Sequence, residues 1–330
     1  MTVLVTGGSG LVGSHVIEAL RARGIAVRAL TRLPAAPAVR ALGAEVVTGD
    51  VTDGAAWRRA ADGGLEAIVH AAAIVQRPHT TLADYEAVNV GGTRLAVETA
   101  RATRARLVQV SSVSVYGGSS DYRPQPERRT EEYPFRPLAE QDFYARTKRA
   151  SEALVQEAAL RGDITATAIR PCVIYGERDR LFIHRLVRAI RTRVVLQVGP
   201  GTNHLACVYA GNVAAAIVAV LTGTPTDAFR AYNITADAPP ALTARQFLET
   251  IADACGVRVR FLRLPMPLAR VAIGLWSGPA MARRALSFIT GENPYPIDRA
   301  TSELHWTPPV TIRDALARTV RWVLANEKPG

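Results

Sequence analysis

The sequence predicts an α/β fold: a Rossmann-type doubly wound parallel sheet with a smaller C-terminal substrate-binding lobe. Three observations lead there. Short apolar runs alternate with helical patterns through the first half of the chain, which implies parallel strands with helices on both faces. A glycine-rich turn joins the first run to the first helix. The 330 residues, 48% of them hydrophobic, suffice for one large core and an appended lobe.

The runs at residues 2–5, 26–30, 45–47, 67–69, 107–110 and 166–169 read as buried strands. Helical patterns at about 11–23, 55–62, 82–101 and 140–160 lie between them, and each spacing is long enough for a right-handed crossover. After Pro171 the alternation loosens. Helices are predicted at 181–191 and 211–221, a strand at 232–234, and helices near 244–255 and 312–326, with Pro239-Pro240 and Pro308-Pro309 as joints. The segment 118–136, rich in Ser, Pro, Glu and Arg, reads as a surface loop. On this reading residues 1–175, with 205–235 returning to them, form the nucleotide domain, and 176–204 with 236–330 form the substrate lobe.

Composition narrows the function classes. Cys172, Cys207 and Cys255 are odd in number and widely spaced, so they form neither a disulfide framework nor a metal cluster, and a reducing compartment is expected. The chain opens directly into Met1-Thr2-Val3-Leu4-Val5, without a basic leader, so a cytoplasmic protein is expected. Residues 264–282 contain Arg270 and three prolines and make a poor membrane span. The net charge of +11 invites a nucleic-acid partner, but the arginines are scattered rather than clustered with aromatics, and none is expected. Nearly all the basic residues are arginine; Lys148 and Lys328 are the only lysines. A lysine at 148, four residues after a tyrosine on a helix, therefore departs from the chain's habit.

The first strand runs into Gly7-Gly8-Ser9-Gly10-Leu11-Val12-Gly13, followed by a helix. Glycines permit a tight turn and close backbone approach to a pyrophosphate, and the helix N-terminus supplies free N–H groups. Gly7, Ser9, Gly10, Leu11, Val12 and Gly13 are therefore dinucleotide contacts. The second strand ends in Thr31-Arg32, where an acid would hold the ribose hydroxyls of NAD; a hydroxyl and a guanidinium instead favour the 2′-phosphate of NADP. Asp50, before Val51, is either a partner for the adenine amino group or only a turn residue. The small side chains of Ala71, Ala72 and Ala73 let a cofactor lie against the backbone.

Tyr144 and Lys148 share one helix face. A phenol with a pKa near 10 is a poor base, and a neighbouring ammonium lowers that value. Ser112, at the end of the fifth strand, supplies a hydroxyl to the same carbonyl oxygen. The order is the informative part: a glycine turn, a strand ending in serines, then Tyr-x-x-x-Lys.

With Gly49-Asp50-Val51, His70-Ala71-Ala72, Asn89-Val90-x-Gly92-Thr93, Ser111-Ser112-x-x-Val115-Tyr116-Gly117 and Arg170-Pro171-x-x-x-Tyr175-Gly176, the chain resembles the extended short-chain dehydrogenases/reductases from end to end. The resemblance implies a Tyr144 acid/base, a Lys148 that also binds the nicotinamide ribose, and a Ser112 on the reacting oxygen. It also implies cofactor contacts at Asn89, Pro171, Cys172 and Val173, and a homodimer formed through the helices near 82–101 and 140–160. The 4,6-dehydratases of this family carry Thr-Asp-Glu where this chain has Ser112-Val113-Ser114, which leaves elimination of water without its acids. Nucleotide-sugar epimerases carry an asparagine shortly after the sixth strand that is missing here. The stretch 170–182 is similar to the 3β-hydroxysteroid dehydrogenases, whereas Thr31-Arg32 is more like the NADP-dependent dihydroflavonol reductases.

The function expected is hydride transfer between NADP(H) and a secondary alcohol or ketone of a small, mainly apolar substrate. A nucleotide-sugar epimerase, with arginines 178, 180, 185 and 188 meeting a pyrophosphate, is the second reading. A non-catalytic dinucleotide sensor is the third. The apolar, proline-punctuated stretch 261–276 is open to three uses: lobe core, a lid over the substrate with Met266 and Trp276 as contacts, or a membrane-surface contact flanked by Arg263, Arg270, Arg283 and Arg284.

Overall fold

The computed structural model describes residues 1–75, 80–117, 127–179, 181–225, 227–277 and 279–327, with the side chains of 276, 277 and 279–284 outside the description. Residues 118–126 of the surface loop read from the sequence, and Arg180, Lys328 and the Trp276 side chain, lie outside the described residues.

Seven parallel strands form the central sheet: β1 (Thr2–Thr6), β2 (Ala26–Thr31), β3 (Glu45–Thr48), β4 (Ala67–His70), β5 (Arg106–Val110), β6 (Ala166–Pro171) and β10 (Phe229–Ile234). Their order is β10-β6-β5-β4-β1-β2-β3, so the strand order reverses between β1 and β4. In an open sheet of this kind the ligand crevice lies beyond the carboxyl ends of those two strands.

Helices cover both faces because each carries one apolar stripe. On one face α1 (Leu11–Arg21) and α8 (Ala210–Thr222) bury Val16, Ile17, Leu20, Val213 and Ile217 against the sheet. On the other face α3 (Gly54–Ala61), α5 (Gly92–Thr103) and α6 (Phe143–Leu160) bury Trp57, Ala96, Ala100, Val155 and Ala159. Side-chain caps fix several helix starts: Asp53 accepts from Ala55 N–H at 2.8 Å, and Asp142 from Ala145 N–H at 3.3 Å. The predicted continuous helix over 82–101 is instead α4 (Leu82–Tyr85), a π-helical turn (Glu86–Gly91) and α5. The helix expected from 140 starts at Phe143, which places Tyr144 in its first turn.

In the C-terminal half, β7 (Val173–Tyr175) pairs with β9 (Cys207–Tyr209), and β8 (Val194–Val198) pairs with β11 (Arg260–Leu264), both in parallel. Helices α7 (Ile183–Arg191), α9 (Ala244–Ala254) and α13 (Ile312–Asn326) enclose a third core around Tyr175, Val187, Phe247 and Leu316. Two further helices, α10 (Met266–Ser277) and α11 (Pro279–Thr290), fill the proline-punctuated stretch, and α12 (Asp298–Glu303) precedes the final turn. A short α2 (Ala36–Arg40) follows β2. No helix among the described residues is long and apolar enough to cross a membrane.

Candidate active site

At the sheet's switch point the glycine turn and the end of β4 meet backbone to backbone. Gly7 has a φ of +70°, and a Cβ there would stand 2.7 Å from the Ala72 nitrogen and 2.8 Å from the Ala71 carbonyl carbon. A Cβ on Gly13 would stand 2.3 Å from the Gly7 oxygen. Gly10 N–H closes the turn on Gly7 O at 2.8 Å, and Ala72 N–H donates to Thr6 Oγ1 at 3.3 Å. Ser9 and Gly10 lie exposed at the tip. Helix α1 begins on Gly10 with no side-chain cap and no acid in its first turn. The amides of Leu11, Val12 and Gly13 belong to that first turn, where N–H groups lack an intrahelical acceptor, and the helix presents its positive end there. A cradle of bare backbone facing uncapped amides fits a dinucleotide pyrophosphate.

Arg32 follows β2 directly, is exposed, and makes no ion pair among the described residues. Thr31 beside it is buried. Asp50 Oδ1 accepts from both the N–H and the hydroxyl of Thr52 at 3.0 Å, so its turn role is realised while the carboxylate stays half-buried. Val51 packs into the core beside Gly92, and its carbonyl accepts from Trp57 Nε1 at 2.9 Å. Asn89 is buried and fully engaged within the protein. Its Oδ1 accepts from Ile74 N–H at 2.7 Å, and its Nδ2 donates to Ile74 O at 3.2 Å and Thr147 Oγ1 at 3.0 Å. It therefore clamps the segment after Ala73 to α6. Pro171 at the end of β6 and Cys172 after it are buried, and Val173, which opens β7, is half-buried. Burial pushes the Cys172 thiol well up, so it is an inert wall rather than a nucleophile.

Tyr144, Lys148 and Ser112 converge at the end of β5. The Ser112 hydroxyl lies close enough to the Tyr144 phenol to pull its pKa down. Ser112 also caps a short 3₁₀ turn, accepting from Ser114 N–H at 3.1 Å. One helical turn below Tyr144, the buried Lys148 donates to Val110 O at 2.6 Å, two residues before Ser112. Burial pushes Lys148 down to about 8, against the opposing pull of Glu152. Burial also pushes the Tyr144 phenol up, and the nearby Ser112 hydroxyl offsets only part of that. The lowered phenol pKa expected from the sequence thus reverses within the protein's own groups. Desolvation of the ring dominates, and the ammonium is turned to a backbone carbonyl.

A buried polar layer supports these residues. Ser111 bonds Glu152, which lies four residues beyond Lys148 on α6. Glu152 pairs with Arg170 at 2.5 Å, and Arg170 Nη1 donates to Tyr116 Oη at 2.8 Å. Burial and the charge on Lys148 push the neighbouring His70 down to about 3. Its Nδ1 meets Thr6 Oγ1 at 2.8 Å. No role was read from the sequence for Ser114, whose hydroxyl is buried with no partner among the described residues, in the same turn as Ser112. Its position as the third serine of the run was the available signal. Arg178, read as a pyrophosphate contact, is instead held on α1 by Ser14 at 2.8 Å and Glu18 at 2.6 Å.

Residues 3–235 match the NAD dependent epimerase/dehydratase family. A 4-hydroxy-2-methyl-3-oxo-4-farnesyl-3,4-dihydroquinoline-1-oxide ketoreductase of Stigmatella aurantiaca is 32% identical, over 96% of this chain and 95% of its own. A 3 beta-hydroxysteroid dehydrogenase/Delta 5-->4-isomerase of Mycobacterium tuberculosis is 30% identical, over 98% and 90%. Among solved structures, MoeE5 in complex with UDP-glucuronic acid and NAD superposes with a TM-score of 0.72 at 25% identity, covering 99% of this chain and all of that one (100%).

Proposed function

This chain belongs to the NAD dependent epimerase/dehydratase family, and from that premise we propose that it is an NADP(H)-dependent reductase of a ketone on a mainly apolar substrate. The carrying observation is the Ser112 hydroxyl set beside the Tyr144 phenol, with Lys148 buried one turn beneath and held to Val110 O. An enzyme acting on CH–OH groups needs one proton carrier and one oxygen-orienting hydroxyl at the same atom, and this pair supplies both.

A bound nicotinamide brings hydride chemistry to the carbonyl carbon. The chain's residues handle the oxygen. Ser112 orients it by a hydrogen bond, and Tyr144 gives it a proton. Lys148, on the next turn, supplies the positive charge that favours the resulting phenolate. The raised Tyr144 pKa keeps the phenol protonated at neutral pH, which suits the acid role in reduction. Gly7–Gly13 would hold the pyrophosphate and Arg32 the 2′-phosphate. The apolar substrate is supported by the two relatives, whose names specify a farnesylated quinoline and a steroid.

Titration of the purified protein with NADPH and NADH, beside an Arg32→Ala variant, tests the cofactor. NADPH should bind about tenfold or more tightly, a margin the variant loses. Equal binding of NADH makes Arg32 a surface residue. Apolar ketones should then be turned over by the parent and not by Tyr144→Phe. A nucleotide-sugar epimerase is the second reading, favoured by the UDP-glucuronic acid complex of its structural neighbour. Product analysis with UDP- and GDP-sugars decides it: an epimerised sugar replaces the reductase reading.

A further inference from the structure

The lobe's outer surface, formed by β8, β11 and α10, combines two features that the proposed reaction does not use. The first is exposed aliphatic area. In α10, Leu268, Val271 and Leu275 are 59%, 60% and 82% exposed. Their i, i+3, i+7 spacing sets them on one face, while Ala269 and Ile273 pack inward with Val198, Leu264 and Leu286. The adjoining ribbon repeats the pattern at strand period. Val194 and Leu196 are exposed on β8, and Leu262, the register partner of Leu196, is exposed on β11. Only Pro265 separates β11 from α10, so ribbon and helix form one continuous segment of surface.

The second feature is charge. Residues 183–198 and 254–291 contain ten arginines and no aspartate or glutamate. One of them, Arg191, is paired with Glu327. Arg260, Arg263 and Arg270 are exposed beside the aliphatic residues. An ordinary solvated surface mixes both signs.

We propose that this face docks on an anionic phospholipid bilayer, with α10 lying in the plane of the interface. Aliphatic side chains flanked by arginine guanidiniums match acyl chains below a layer of phosphate headgroups. A second copy of the chain would set arginine mainly against arginine, since the acids at its margin, Glu327 and Glu249, are already paired with Arg191 and Arg245. A helix of 12 residues is too short to span a bilayer, which leaves the in-plane arrangement. Docking there would set the lobe against the phase in which an apolar substrate dissolves, and to that extent the proposal rests on the reductase reading.

The full chain is floated with phosphatidylcholine vesicles and with vesicles containing phosphatidylglycerol. About tenfold more protein should bind the anionic vesicles at low salt, and about 0.5 M NaCl should abolish most of that excess. A Leu268→Ser/Val271→Ser/Leu275→Ser variant, altered only at solvent-facing positions, should keep the parent's melting temperature and bind about tenfold less. Equal binding to neutral and anionic vesicles overturns the proposal, as does a variant that binds like the parent. So does a parent dimer that the variant dissolves, because a second copy then occupies the face. Turnover of a water-soluble ketone in the same samples separates the two readings. Turnover without vesicle binding removes the docking face alone, and vesicle binding without turnover removes the reductase alone.

Discussion

Lys148 is the residue on which pH acts. Buried, it sits at about 8 rather than its ordinary 10.5, so its charge disappears just above neutrality. Proton donation by Tyr144 is helped by that charge, so kcat/KM for ketone reduction should be flat through neutrality and fall tenfold per pH unit above about 8. Stability moves the other way. Between about 8 and 10.5 the unfolded chain binds more protons at this lysine than the folded one, so this group's contribution to stability rises with pH. A loss of rate without loss of fold is therefore the signature, read from pH–rate profiles beside melting curves. Lys148→Met should lose about 100-fold or more in rate and the alkaline limb with it. A profile level through pH 9 in the parent removes the role. That Ser112, Tyr144 and Lys148 would meet was legible because chain order and a four-residue spacing are properties of sequence. Asn89 shows where that legibility ends. The motif marks an amide, but only three dimensions show that Ile74 and Thr147 occupy it. The direction of the Tyr144 shift was equally hidden, since it depends on how deeply the ring is desolvated.

At the scale of elements, α6 carries Tyr144, Lys148 and Glu152 at successive four-residue steps, and the last of them fixes the helix to the sheet. Glu152 binds Ser111 after β5 and Arg170 in β6, two strand ends that flank the site. Glu152→Ala leaves a buried guanidinium unpaired and should cost about 3–5 kcal/mol in urea unfolding. Combining Glu152→Leu with Arg170→Met should recover only part of this, because Tyr116 and the Glu131 carbonyl also depend on Arg170. Full recovery by the double variant would show that the pair acts alone. The strands of the central sheet were readable as apolar runs, but β8 and β11 were not: each is five residues long and partly exposed. Helices α10 and α11 were obscured by prolines that read as breakers. Pro267 and Pro279 in fact occupy the first turns, where a missing N–H costs nothing.

At the scale of the whole molecule, the lobe is not an independent body. Trp306, Tyr295 and Ala300 from the C-terminal third bury themselves in the same core as α1 and α8. Two side chains splice the halves together. Asp237 accepts from Tyr209 N–H at 2.8 Å and Asn212 Nδ2 at 2.7 Å, and its other oxygen meets Tyr175 Oη at 2.5 Å. Asn212 in turn bonds both the carbonyl and the N–H of Val310, at 2.9 and 3.0 Å, just before α13. One half-buried carboxylate thus joins β7, β9, α8 and the return from β10. A single calorimetric transition is expected for the parent, because no part of the lobe can leave without stripping partners from the sheet. Asp237→Ala leaves three buried donors without an acceptor, at about 1–3 kcal/mol each when unrelieved. The lobe should then melt first, splitting the transition in two, with the lower one absorbing the loss. Asp237→Asn retains one acceptor oxygen for the Tyr209 amide and should lower the midpoint by less than half as much, without a split. If the alanine variant melts as one peak within a degree or so of the parent, the splice carries no cooperativity, and the shared apolar core alone unites the two halves.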